Sequence, residues 1–283
     1  TSNEAVIKFS RRQTMAWEKL ADPSIRSLLY GGAKGGGKSI FGCYWLYLKC
    51  LELIDKFKLE PTKYPIPVGF LARRYSTDLN NTTLETWKSV IPSNHYTIKS
   101  ADKEIIIKDA VKIQYDGFDT QTSIASLNSA EFIYAFVDQA EEVCRDHYGL
   151  LLGTLRRKIK DQQPEYKVLL TANPAVCWLK DEFIDRATPG NAFIQALPSD
   201  NPFLADGYVQ TLQEAFKHRP ELIRAYLEGN WEILSDSDIV IPGSSVIKSV
   251  KRELLTDQGK VVVACDPARF GDDECVAYVL RNG

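Results

Sequence analysis

The residues Gly32-Ala33-Lys34-Gly35-Gly36-Gly37-Lys38-Ser39 carry the clearest chemistry in this chain. They fit the phosphate-binding pattern G-x-x-x-x-G-K-[ST] without a mismatch. Glycines let the backbone curl until several N–H groups face one anion. The helix that follows adds its positive N-terminal end. In such a loop Lys38 reaches the β- and γ-phosphates, and the Ser39 hydroxyl holds Mg²⁺.

A second stretch, Phe132-Ile133-Tyr134-Ala135-Phe136-Val137-Asp138, is a continuous apolar run closing on a carboxylate. That is the pattern of a parallel strand buried on both faces. Its terminal Asp138 is placed to hold Mg²⁺ beside the phosphate loop. Gln139-Ala140-Glu141-Glu142 follow, and a carboxylate here can orient the water that attacks a γ-phosphate. Tyr166 to Leu170 is another buried strand, ending at Thr171-Ala172-Asn173-Pro174. Thr171 and Asn173 offer a hydroxyl and an amide that can sense the γ-phosphate. Gln13, upstream of the loop, is either an adenine-edge contact, offering a donor and an acceptor together, or a solvated helix-start residue. Arg73-Arg74 end the strand Val68 to Ala72, at the edge where an open α/β sheet forms its ligand crevice. They face phosphate or nucleic acid, or they are a solvated pair. Arg156-Arg157-Lys158 suit a helix C-terminus, or they include an arginine finger.

These residues need a sheet and helices to hold them. Leu28 to Tyr30 read as the strand entering the loop, and a helix begins at Ser39, with Ile40, Tyr44, Tyr47, Leu48, Leu51 and Ile54 at helical spacing. Ser10 is placed to cap a short helix before the loop. Pro61 to Pro67 is a connector. Glu104 to Lys108 and Val111 to Tyr115 predict a hairpin, and Asp116 to Asn128 a polar Ser/Thr-rich loop. Val143 to Lys158 predict a helix with Leu150, Leu151, Leu152 and Leu155 inward. Phe193 to Leu197 predict a strand. Pro220 opens a helix that Gly229 ends. Residues 235 to 259 lose this rhythm and read as a linker. Val261 to Pro267 and Glu274 to Leu280 then predict two further strands, the first ending near Asp266.

The chain has 283 residues, 44% hydrophobic and 25% charged, with a net charge of −2. Those values are ordinary for a globular protein and give no global basic field. No apolar run approaches the ~20 residues of a membrane span, and no secretory signal opens the chain. Cys43, Cys50, Cys144, Cys177, Cys265 and Cys275 contain no C-x-x-C pair. They read as reduced core residues, forming neither a disulfide frame nor a zinc site. Numbering opens on Thr1, so processing or a trimmed start is expected. No internal repeat is visible.

The order of these motifs resembles the large terminase subunit of tailed bacteriophages, the motor that packages DNA. Asn201-Pro202-Phe203-Leu204 and Tyr226-Leu227-Glu228-Gly229-Asn230-Trp231 add to the resemblance. It implies an α/β fold: a P-loop NTPase of the additional-strand type with a mostly parallel sheet over residues 1–235, and a linker at 236–259. The first strands of a truncated RNase H-like nuclease would follow at 260–283. It implies an ATPase using ATP and Mg²⁺, and a nuclease using Mg²⁺ or Mn²⁺ for which Asp266 matches the first metal-binding aspartate. The implied partners are double-stranded DNA, the portal protein, the small terminase subunit and further copies in a ring, inside the infected bacterial host. Lys34 matches a loop position that is often arginine, and Thr171 to Asn173 match the element coupling hydrolysis to movement. The family usually has a catalytic glutamate directly after the Mg²⁺ aspartate, whereas this chain has Gln139. Glu141 or Glu142 takes that role, or Gln139 attenuates hydrolysis. With only Asp266, and Asp272 or Asp273 beside it, no DNA cleavage is expected from this stretch. A trans-acting finger would be Arg156 or Arg157, with Arg73 as the alternative.

Overall fold

The computed structural model describes residues 7–186, 188–232, 261–266 and 276–281. The chain divides into two compact units, Thr1–Leu234 and Ser235–Gly283. The first unit is built on an eight-stranded sheet of order β3-β4-β5-β2-β6-β7-β1-β8. Its strands are β1 (Ser27–Gly32), β2 (Ile66–Arg73), β3 (Tyr96–Lys99), β4 (Glu104–Ile107), β5 (Val111–Gly117), β6 (Tyr134–Val137), β7 (Lys167–Ala172) and β8 (Asn191–Ala196). The run β5-β2-β6-β7-β1-β8 is parallel. β3 and β4 add an antiparallel edge, and the expected hairpin is β4-β5. This is the mostly parallel α/β sheet that the motifs imply. β7, the later strand, lies between β1, which carries the phosphate loop, and β6, which carries Asp138.

The registers set Leu28, Leu169, Phe136 and Leu71 in one row across β1, β7, β6 and β2. Strand side chains alternate between faces, so this row and its neighbours divide the core in two. Leu28, Tyr30, Leu71, Phe136 and Leu169 pack with helices α1 (Arg11–Ala21), α2 (Lys38–Phe57) and α4 (Leu84–Val90). Leu29, Phe70, Ala72, Val137 and Leu170 pack on the other face with α5 (Gln121–Ser129) and α6 (Arg145–Thr154). Gly42 is where α2 crosses the sheet: a Cβ there would lie 2.1 Å from Phe136 Cζ. α3 (Ser76–Asp78) joins α4 through a π turn, Leu79–Thr83.

Several expectations are corrected. The stripe proposed for α2 is not its deepest face: Ile40 is 42% exposed, while Phe41, Trp45, Leu46 and Cys50 are fully buried. A helix packed on a sheet and overlaid by another helix is apolar nearly all round, and periodicity then misplaces its buried side. The supposed loop over 116–128 contains α5, started by Thr120, whose hydroxyl accepts the Ser123 N–H at 3.1 Å. α6 stops at Thr154, so Arg156, Arg157 and Lys158 are not its last turn. Leu155 instead bridges Phe132, and Leu150 is 37% exposed rather than inward. Cys43 and Cys50 are buried, but Cys144 is exposed.

α7 (Tyr208–Ala215) and α8 (Pro220–Glu228) close the first unit, and Gly229 ends α8 in the left-handed region at φ 65°. The second unit contains β9 (Val261–Asp266) and β10 (Val276–Arg281), paired antiparallel with Asp266 opposite Val276. The expected linker at 236–259, Asp272 and Asp273 lie outside the described residues.

Candidate functional site

The carboxyl ends of β1, β7 and β6 open onto a cleft of about 600 Å³ lined by the phosphate loop, Asp138, Gln139, Thr171 and Asn173. The aligned row explains the convergence. Two residues beyond it stand Thr171, Asp138 and Arg73; four residues beyond stand Gly32 and Asn173.

Gly37 has φ 70°, a left-handed conformation that permits the turn into α2, and a Cβ there would sit 2.9 Å from Gln13 Nε2. Lys38 then leads the helix back under the loop. Its Nζ donates to Gly32 O at 3.1 Å, Ala33 O at 2.5 Å and Asn173 Oδ1 at 3.1 Å. Burial pushes its amine down to about 8, against the pull of Glu141 and Asp138. Ser39 Oγ donates to Asp138 Oδ1 at 2.9 Å, Thr171 Oγ1 to the same oxygen at 2.5 Å, and Thr83 Oγ1 to Asp138 Oδ2 at 2.7 Å. Asp138 is buried.

Asn173 links both sides of the cleft. Its Oδ1 accepts from Lys38, and its Nδ2 donates to Glu141 Oε1 at 2.8 Å. Glu141 Oε2 is buried without a hydrogen-bond partner. Burial drives the Glu141 carboxyl up to about 7, although hydrogen bonds from Asn173 and the charge of Lys38 oppose the shift. Glu142 turns the other way: its Oε1 lies 3.5 Å from Arg73 Nη2, and burial raises its pKa against the Arg73 charge. Gln139 stands in the left-handed region at φ 52°, and its N–H donates to Thr171 Oγ1 at 3.3 Å.

Gln13 is neither solvated nor free. Its Oε1 accepts the Ser10 N–H at 2.9 Å, and its Nε2 donates to Gly37 O at 3.0 Å, so it caps α1 and ties that helix to the loop. It also lines an apolar cleft of about 370 Å³ with Phe9, Ile40, Tyr44 and Phe203. Arg73 is only 7% exposed and donates to Thr82 Oγ1 at 2.7 Å. Arg74 stacks on Tyr75, 5.5 Å from the ring centre. The structure does not bring Arg156 or Arg157 to this cleft. Both pair with Glu131, at 3.2 and 3.7 Å, and Arg157 lines a different cavity beside Pro67 and Phe70.

Two segments that carry no chemical signature of their own brace the loop. Asn201 Nδ2 donates to Gly35 O at 2.7 Å. Tyr226 O accepts the Lys34 N–H at 2.9 Å, and its ring lies 4.0 Å from Lys34 Nζ. Thr83 was not legible as a site residue, since a threonine 55 positions before Asp138 has no motif.

The oxygen donor set suits Mg²⁺. A serine hydroxyl and an aspartate carboxylate meet beside a phosphate loop, and Mg²⁺ is typically held by one or two protein oxygens with phosphates and water completing the shell. Among the described residues no cluster of three or more His, Cys, Asp or Glu side chains offers an all-protein metal cage.

A family model described as phage terminase large subunit matches residues 73–230. The chain belongs to this family. The match runs from the end of β2 through Asp138 and Asn173 to the Tyr226–Trp231 segment. The large terminase of a thermophilic bacteriophage superposes with a TM-score of 0.62 at 15% identity, covering 97% of this chain and 69% of that one. A second structure of that thermophilic phage protein, in complex with ATP-γ-S, gives 0.60 at 16% identity, covering 92% and 62%. The HK97 bacteriophage large terminase gives 0.56 at 11% identity, covering 80% and 51%. At these identities the terminases share the fold with this chain, which spans between half and about two thirds of their length. No curated protein matches the sequence. No described helix is long and apolar enough to cross a membrane.

Proposed function

We propose that the first unit is the ATP-hydrolysing part of a motor that moves double-stranded DNA into a capsid, acting on the portal protein with the small terminase subunit and further copies in a ring. The carrying observation is β7, wedged between β1 and β6. It sets Asn173 against Lys38, and Thr171 against Asp138, at hydrogen-bond distance. A nucleotide's phosphates bind along the loop N–H groups, and Lys38 exchanges its carbonyl partners for β- and γ-phosphate oxygens. Ser39 and Asp138 are the residues that would hold Mg²⁺, which when bound would supply charge neutralisation for phosphoryl transfer. The apolar cleft between Phe9, Tyr44 and Phe203 seats the adenine, with Gln13 at its rim.

Gln139 lines the cleft and orients the attacking water; as a neutral amide it takes no proton. Glu141 is the base. Its pKa near 7 suits proton transfer at neutral pH, and Asn173 connects it to the cation that binds the γ-phosphate. Glu142 is committed to Arg73. Arg73 is buried, whereas Arg156 and Arg157 reach the surface in their pairs with Glu131, so an arginine offered to a neighbouring subunit's γ-phosphate comes from Arg156 or Arg157. Lys34, stacked on Tyr226, stabilises the loop in cis. In the second unit, Asp266 at the end of β9 would be the first carboxylate of a metal-dependent nuclease, and further carboxylates would be needed to hold two ions.

The test is Lys38→Ala. The folded variant is expected to lose ATP hydrolysis. Hydrolysis at the wild-type rate would refute the nucleotide site.

A further inference from the structure

The π turn Leu79–Thr83 is unclaimed by any motif, yet it touches Asp138 directly and reaches Glu142 through Arg73. π turns require an extra residue per hydrogen-bonded ring and are rare, with a preference for functional sites. Here the turn sets two consecutive threonines to different tasks. Thr82 Oγ1 donates to Asp78 O at 2.6 Å and accepts from Arg73 Nη1, and Arg73 in turn reaches Glu142. Thr83 is fully buried, and its hydroxyl proton goes to Asp138 Oδ2.

We propose that Thr83 is a positioning residue for the metal-binding carboxylate, fixing Asp138 Oδ2 from α3–α4 so that Oδ1 is the oxygen presented to Ser39 and the phosphate loop. This rests on the ATP-site reading above and deepens it. Oδ1 already takes two hydroxyls, from Ser39 and Thr171, while Thr83 serves Oδ2. Aspartate χ2 is a soft torsion, so without Thr83 the carboxylate rotates to bring the unpartnered Oδ2 toward Ser39 and Thr171, in competition with Oδ1. A buried oxygen stripped of its donor carries the full desolvation cost. The rotation that relieves this cost displaces Oδ1 from the place where Ser39 and the phosphates converge.

The experiment compares wild type, Thr83→Val, Thr83→Ser and Asp138→Asn in binding N-methylanthraniloyl ATP-γ-S, with saturating Mg²⁺ and with excess EDTA. Wild type is expected to bind more tightly with Mg²⁺, and Asp138→Asn to lose that gain. Thr83→Val should reduce the Mg²⁺-dependent gain about tenfold, the scale of one hydrogen bond to a charged group, while binding in EDTA stays unchanged. Thr83→Ser, which keeps the hydroxyl, should restore the gain. A Thr83→Val protein with the full Mg²⁺ gain overturns the proposal while leaving the ATP site intact. So does equal weakening with and without Mg²⁺, which would mean that Thr83 only supports the fold. If Thr83→Val does not fold, Thr83→Ala is titrated in its place under the same criteria. Wild-type protein that binds no analogue refutes the ATP-site reading itself.

Discussion

Replacing Glu141 by glutamine separates its stability role from its chemical role. Glutamine keeps an oxygen for Asn173 Nδ2, which donates to Glu141 Oε1 at 2.8 Å, and removes only the titration. The carboxyl's folded pKa is raised, to about 7 from an ordinary 4.5, with burial as the largest cause. The folded protein therefore binds this proton more tightly than the unfolded chain does. Glu141 costs nothing below about pH 4.5, and its penalty grows as pH rises through 7. The gap between those two values corresponds to ~3 kcal/mol at 1.36 kcal/mol per pH unit. Glu141→Gln should thus melt close to wild type near pH 4.5 and higher than wild type at pH 8. With ~2–4 °C per kcal/mol for a unit of this size, the gain at pH 8 is several degrees. Hydrolysis should fall in the same variant, by the ~10²–10⁴ that a general base contributes. Wild-type kcat/KM should rise with pH through a limb near 7. Melting differences that are flat with pH refute the buried-carboxylate argument. A variant that hydrolyses ATP at the wild-type rate refutes Glu141 as the base.

With Glu141 as the proposed base, Gln139→Glu should raise the ATPase rate by less than tenfold; a gain in the ~10²–10⁴ range of base assistance, read in steady-state turnover, would show that Gln139 attenuates the enzyme. Gly42→Ala should destabilise the first unit by ~1–3 kcal/mol through overpacking, since its Cβ would meet the Phe136 ring at 2.1 Å; an unchanged denaturant midpoint would contradict the tight crossing of α2 over β6.

The parts of the fold that were legible are those in which chemistry and local structure share a contiguous stretch. Gly32 to Ser39 specify their own turn, and the run ending at Asp138 specifies a strand and a carboxylate at its tip. Elements whose burial is decided by distant partners were read less well. α2 is covered on more than one side, so its polar and apolar positions do not name its deepest face. α5 is rich in Ser and Thr, which favour turns and caps in isolation, yet one of them, Thr120, supplies the cap that starts the helix. Arg73 looked like a crevice cation; its burial follows from Thr82 and Glu142, neither of which lies next to it in sequence.

The same distinction explains why the surroundings of Asp138 were only half visible. Its partners arrive from α2, from the π turn and from β7, and each is a hydroxyl. Hydroxyls are the least specific polar groups in a sequence, yet here they do what a lysine or arginine could not. A cation beside Asp138 would stabilise the buried carboxylate by cancelling its charge, and the affinity for Mg²⁺ would fall with it. Three hydroxyl donors stabilise the anion without cancelling its charge, as the proposed Mg²⁺ site requires. The nearby Lys38 donates to the loop carbonyls and Asn173 rather than to Asp138, although the Asp138 and Glu141 charges still pull on its amine. Asp138 and Lys38 thus sit in one cleft, each hydrogen-bonded to neutral groups, which is what the proposed metal–nucleotide site requires of them.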